Sequence, residues 1–112
     1  MEIIERSVGT VTVFDLHGRL ALGDGDALLR EKVNSAIGDG RTRLLLNMED
    51  VPFVDSSGLG EVVRSYTTLT RKGGKLKLLK PGKRIRDLLA ITKLLSIFEV
   101  FDDEQAAVDS FS

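Results

Sequence analysis

The 112-residue chain has no cysteine and no tryptophan, and its only histidine is His17. The missing thiols exclude a disulfide framework, a thiolate nucleophile and the cysteine-rich structural zinc sites, and one imidazole does not make a metal site. No unbroken apolar run approaches the roughly 18 residues that a membrane-spanning helix needs. The opening Met1-Glu2-Ile3-Ile4-Glu5-Arg6 is acidic where a secretory leader would be basic and then apolar. An excess of charge is also missing: 16 Lys and Arg against 17 Asp and Glu leave a formal net charge of −1. A dedicated nucleic-acid binder would carry a strong positive field. These absences lead us to expect a cytoplasmic protein with no nucleic-acid or membrane partner and no metal or cofactor of its own. Its length suits one domain over residues 1–112, as a monomer or weak dimer, and a switch or adaptor more than an enzyme with its own nucleotide pocket.

What is present alternates between two periodicities. Ile3-Ile4 and Val11-Thr12-Val13-Phe14-Asp15-Leu16 read as two strands, with Gly9 supplying the turn between them. Gly18 to Gly25 is loop-like, and Leu29, Val33, Ala36 and Ile37 then recur at helical spacing before Gly38-Asp39-Gly40. Leu44-Leu45-Leu46-Asn47-Met48 is nearly continuous in apolar character, as expected of a central parallel strand covered on both faces, and Glu49-Asp50-Val51-Pro52 breaks it. Leu59, Val62, Val63, Tyr66 and Leu69 make a second helical stripe that Gly73-Gly74 ends. Lys75 to Leu79 reads as a strand, Pro81-Gly82 as a helix entrance, and Ile85, Leu88 and Leu89 as the inner face of a third helix. A short strand over Phe98 to Phe101 and a last helix over Asp103 to Asp109 follow, with Asp102 and Gln105 in the spacing of a helix-start box. The order ββαβαβαβα predicts an α/β fold: about five strands in a mixed, mostly parallel sheet flanked by helices.

In such a sheet, binding sites gather beyond the carboxyl ends of the strands, which is where Asp55-Ser56-Ser57-Gly58-Leu59-Gly60 falls. One reading is a plain helix cap, with Asp55 or a serine accepting hydrogen bonds from the first amides of the helix. The other is a phosphorylation site, since free N–H groups and the positive end of the helix dipole favour an anion there. Gly58 and Gly60 are poor helix formers in an otherwise favourable helix. Their presence points either to close approach of a partner or to tight packing of the helix on the sheet.

The Asp55-Ser56-Ser57-Gly58-Leu59-Gly60 run after an apolar strand, Gly18-Arg19-Leu20 closing the second strand, and Lys75-Leu76-Lys77-Leu78 after Gly73-Gly74 together resemble the STAS domain. Within it they are most similar to the bacterial anti-sigma factor antagonists, over essentially the whole chain. The resemblance implies that Ser57 is phosphorylated by a serine kinase that is also the anti-sigma factor, and that a separate phosphatase restores it. Unmodified protein would bind the kinase and release the sigma factor, and modified protein would not. Ser56, Gly58, Leu59 and Gly60 would flank the acceptor and contact the partner, and Asp55 would orient the Ser57 hydroxyl or join in phosphoryl transfer. Many members of the family have an acidic residue where this chain has Ala21; Asp24 and Asp26 are the candidates to replace it. The chain is then a substrate and ligand, not a catalyst.

Other signals compete. The alternative from Ala21 is a non-switching STAS-like scaffold or adaptor subunit of a larger signalling or transport assembly. Asp55 with Asp24 and Asp26 also suggests the magnesium-binding acids of a receiver domain. A hydrolase would pair His17 with a serine, but the spacing is not that of a nucleophile elbow. Nine basic residues between Arg71 and Lys93 face one acid, Asp87, ahead of an acidic tail from Glu99 to Asp109. That asymmetry reads as a docking face or, because Lys75 and Lys77 alternate with leucines, as a solvated strand face at a protected sheet edge.

Overall fold

Central strands buried on both faces and apolar stripes on the helices assemble into two layers of core, one on each face of a single sheet. The computed structural model describes all of residues 1–112. The strands are β1 (Glu2–Val8), β2 (Val11–His17), β3 (Arg43–Asp50), β4 (Lys75–Leu79) and β5 (Val100–Phe101). The helices are α1 (Asp26–Gly38), α2 (Ser56–Arg71), α3 (Lys83–Ile91) and α4 (Glu104–Asp109), with a 3-10 turn at Leu94–Ser96. The sheet order is β1-β2-β3-β4-β5. β1 and β2 form an antiparallel hairpin and every later pairing is parallel. The hairpin turns at Gly9, whose φ of +61° a side chain would disfavour.

One face of the sheet presents Phe14, Leu16, Leu44, Leu46, Leu76 and Leu78 to α1, α2 and α3, which return Leu29, Val33, Val62, Leu69, Ile85 and Leu89. Parallel pairing from β2 to β4 requires each connection to cross back over the sheet. The N-termini of α1 and α2 therefore lie together beyond the carboxyl ends of the strands. The other face carries a smaller core of Val11, Val13, Leu45, Leu79, Ala107 and Phe111 under α4. Ion pairs pin that short helix: Arg6 of β1 reaches Asp15 at 2.6 Å and Glu104 at 2.6 Å. The Arg6 hydrogen bond, aided by one from Asn47, holds the Asp15 carboxyl below the usual carboxylate range against the opposing effect of burial.

The predicted element order is the observed one, with four local differences. β5 begins at Val100, not Phe98; Phe98 instead drops into the core and meets Tyr66 edge to face at 5.2 Å. The cap of α4 is Asp103, which accepts from the Ala106 N–H at 2.9 Å, and Gln105 donates to Asp109 instead of completing a box. Lys77 is not on a solvated edge: β4 lies between β3 and β5, and the side chain is buried under α4 at 5 % exposure. Its ammonium donates to the Ser110 carbonyl and hydroxyl at 2.9 Å each and pairs with Glu99 at 2.7 Å. The basic stretch and the acidic tail, finally, meet each other. Lys77 pairs with Glu99 and Arg86 with Asp102, while Lys83 pairs with Asp87 inside the basic stretch, so part of the asymmetry is neutralised within the molecule.

Candidate functional site

The carboxyl ends of β2 and β3 continue as an irregular pair that positions the Asp-Ser-Ser-Gly run. Leu20 bridges Val54 in parallel; the Leu20 N–H donates to the Phe53 carbonyl at 3.0 Å and the Asp55 N–H to the Leu20 carbonyl at 3.3 Å. This places the start of α2 directly against the Leu20 backbone. A Cβ on Gly58 would lie 1.9 Å from the Leu20 carbonyl oxygen, so only glycine fits. Gly58 is therefore explained by packing inside the chain. A Cβ on Gly60 would meet nothing within 4 Å, and no internal contact accounts for that glycine.

Asp55 caps α2 with an extended backbone, φ −98° and ψ −174°. One carboxylate oxygen accepts from the Gly58 N–H at 2.9 Å and the other from the Leu22 N–H at 3.0 Å. These amides, Leu22 first, keep the Asp55 carboxyl ionised below the usual carboxylate range. The carboxylate thus stitches the loop after β2 to the tip of α2. Both of its oxygens are committed to backbone amides, and neither bonds the Ser57 hydroxyl. The capping role competes with the expected orienting one.

Ser56 is exposed and Ser57 half-buried in the first turn, and neither hydroxyl takes part in the chain's side-chain hydrogen bonds. Leu59 points partly inward and packs against the core. Asp24 is exposed, 3.4 Å from the Met1 amino group and 3.9 Å from Arg19. Asp26 differs: it is 8 % exposed and accepts from the Gly23 and Ala27 N–H groups at 3.1 and 2.8 Å, which holds the loop into α1. Of the two acids offered in place of the one missing at Ala21, only Asp24 faces solvent. Ala21 is itself buried.

Two apolar side chains that the sequence did not single out flank the tip. Leu22 is 74 % exposed beside the Asp55 cap, and Phe53 is exposed with the Arg19 guanidinium 4.9 Å above its ring. A shallow pocket of about 210 Å³ opens next to Phe53, lined also by Pro52, Val54, Arg84, Ile85 and Leu88. Apolar residues bordering a glycine-rich turn were the available signal. The two rival chemistries lack their geometry: Asp24, Asp26 and Asp55 turn their carboxylates to different partners, and no group of three or more His, Cys, Asp or Glu side chains could hold a metal ion. His17 pairs with Asp50 at 3.0 Å and with neither serine.

The model of the STAS domain family matches residues 3–107 of the chain. The anti-sigma-B factor antagonist of Bacillus subtilis is 32 % identical over 81 residues, which cover 72 % of this chain and 73 % of that protein. The anti-sigma F factor antagonist of Paenibacillus polymyxa is 29 % identical over 65 residues, which cover 58 % of this chain. That alignment spans 56 % of the Paenibacillus protein, less than two thirds of its length. Among solved structures, the Bacillus cell fate determinant SpoIIAA in its phosphorylated form superposes with a TM-score of 0.79 at 26 % identity, covering 99 % of this chain and 100 % of the other.

Proposed function

The chain belongs to the STAS domain family, and we propose that it works as an anti-sigma factor antagonist switched by phosphorylation of Ser57. The observation that carries this reading is the partly exposed Ser57 side chain in the first turn of α2, unengaged by any side-chain hydrogen bond, at a tip that Asp55 and Gly58 fix from behind. A partner serine kinase, itself the anti-sigma factor, transfers the γ-phosphoryl group of ATP to the Ser57 oxygen. The hydroxyl proton passes to a base of the kinase, and ADP leaves. Unmodified protein binds that kinase and frees a sigma factor; a phosphatase hydrolyses the phosphoserine and resets the cycle. The naming of relatives as anti-sigma factor antagonists and the existence of a phosphorylated SpoIIAA support the reading.

The physics suits a surface switch. A phosphate adds about −1.5 to −2 charge at pH 7, and the helix N-terminus tolerates an anion without refolding. A unit charge roughly 6 Å from a like charge at an effective dielectric near 20 costs about 2–3 kcal/mol, or one to two orders of magnitude in affinity before screening. Leu22, Phe53 and the backbone at Gly60 form the remaining contact surface around it.

The test is a titration of the kinase recovered on immobilised wild-type protein. Ser57→Asp is expected to bind at least tenfold more weakly, and Ser57→Ala to bind but resist being switched off by ATP. The buried Ala21 favours one second reading, a non-switching scaffold subunit. Mass spectrometry after incubation with kinase and ATP separates the two: a scaffold gains no mass at Ser57.

A further inference from the structure

The seam between α1 and α2 holds an ion pair that the switch as described does not use. Glu61 lies on α2 at only 6 % exposure. Its Oε1 accepts a hydrogen bond from Arg30 Nε of α1 at 3.0 Å, and Arg30 Nη2 lies 2.9 Å from the same oxygen as an ion-pair contact. Its Oε2 is buried without a hydrogen-bond donor, and the nearest further cation is Arg64, whose Nε stands 3.7 Å away. A nearly buried carboxylate with one oxygen unsatisfied is held in place mainly by Arg30.

Ser57 stands four residues before Glu61 on the same helix. Residues at that spacing share a face, with Cβ atoms about 5–6 Å apart. Helical side chains also lean toward the N-terminus, which directs the Glu61 side chain toward the turn that carries Ser57. α1 and α2 run side by side from the same end of the sheet, and Arg30 is in the second turn of α1. The Leu22 bond to Asp55 ties the two entry loops together. The Arg30 side chain is 47 % exposed, which leaves it room to swing.

We infer that a phosphate on Ser57 is held within the chain by Arg30, which it draws away from Glu61. This rests on the proposal that Ser57 is the acceptor. A phosphate offers the guanidinium three strong acceptor oxygens and nearly twice the charge of a carboxylate. Its charge also repels the Glu61 carboxylate from the same side. The exchange leaves Glu61 in the seam with Arg64 as its remaining cation, so phosphorylation alters the α1–α2 surface as well as the charge at the tip.

The experiment installs phosphoserine at position 57 of the full chain by genetic encoding, so no kinase is needed. A failure here therefore leaves the kinase-binding test to judge the proposed function separately. Titration of the phosphate is followed by ³¹P NMR, starting from an ordinary second pKa of about 6. Arg30→Gln is expected to raise that pKa by about half a pH unit or more, as loss of a close opposite charge does; Arg30→Lys should restore part of the difference. Glu61→Gln should lower it, and serves as the deciding variant should Arg30→Gln not fold. In the wild type, the Arg30 Nε–Hε resonance should shift on phosphorylation. A phosphate pKa unchanged in the folded Arg30 variant, or in Glu61→Gln where that variant decides, overturns the inference.

Discussion

Two polar side chains in this fold are treated in opposite ways, Lys77 under α4 and Ser57 at the tip of α2. The Lys77 ammonium donates to the Ser110 carbonyl and hydroxyl and pairs with the Glu99 carboxylate, with the Phe111 ring 4.7 Å from its nitrogen. Ser57 has no side-chain bond within the chain, although Asp55 and Gly58 beside it are tightly fixed. The first polar group is satisfied internally and secures a short helix to the second face of the sheet. The second is presented on a rigid mount with its bonding capacity unspent. Structural polar groups are expected to find partners inside; a group kept for an outside reaction is not.

The comparison can be broken most sharply at the mount itself. Gly58→Ala drives a Cβ into the Leu20 carbonyl and is expected to cost about 3 kcal/mol or more, by overpacking against backbone; a denaturation midpoint equal to wild type would show that the tip is not rigid. Next comes the clamp. Lys77→Ala removes the buried stem and the donors to Ser110, for about 2–3 kcal/mol, and should free α4 as seen by faster amide exchange over residues 104–109. Lys77→Met, which keeps the volume, should recover much of that loss.

A smaller effect of opposite sign is expected at Gly60, where alanine meets no neighbour. Gly60→Ala should stabilise the helix by about 0.5–1 kcal/mol and yet weaken kinase binding if a partner approaches the backbone there. A gain in both properties would remove Gly60 from the contact surface. The smallest change is pH-dependent. The Arg6 hydrogen bond lowers the Asp15 pKa, so its contribution to stability is present above the ordinary aspartate value near 4 and fades as pH falls through the lowered one. Asp15→Asn should therefore destabilise at pH 7 and differ less from wild type in thermal scans near pH 2.

The contrast also explains what could be read from the sequence. Both long amphipathic helices, the central Leu44-Leu45-Leu46 strand and the location of Asp55-Ser56-Ser57 beyond it were legible because periodicity and turn chemistry agree there. Lys77 was not, because its alternation with leucines is the pattern of a half-exposed strand. Its burial depends on β5 and α4, two and six residues long, whose local signals are weak and whose positions are set by tertiary contacts. Asp24 and Asp26 look equivalent in sequence, and only the loop geometry turns one outward and the other onto the Gly23 and Ala27 amides. The same holds for the two glycines: composition gives both, and the Leu20 carbonyl alone assigns a structural reason to Gly58 and none to Gly60.

The most direct measurement of the central claim titrates the recovered kinase with unmodified chain and with chain carrying encoded phosphoserine at position 57, both shown by circular dichroism to be folded. The account predicts that phosphorylation weakens binding by tenfold or more while the chain stays folded. Equal affinities for the two forms would contradict it.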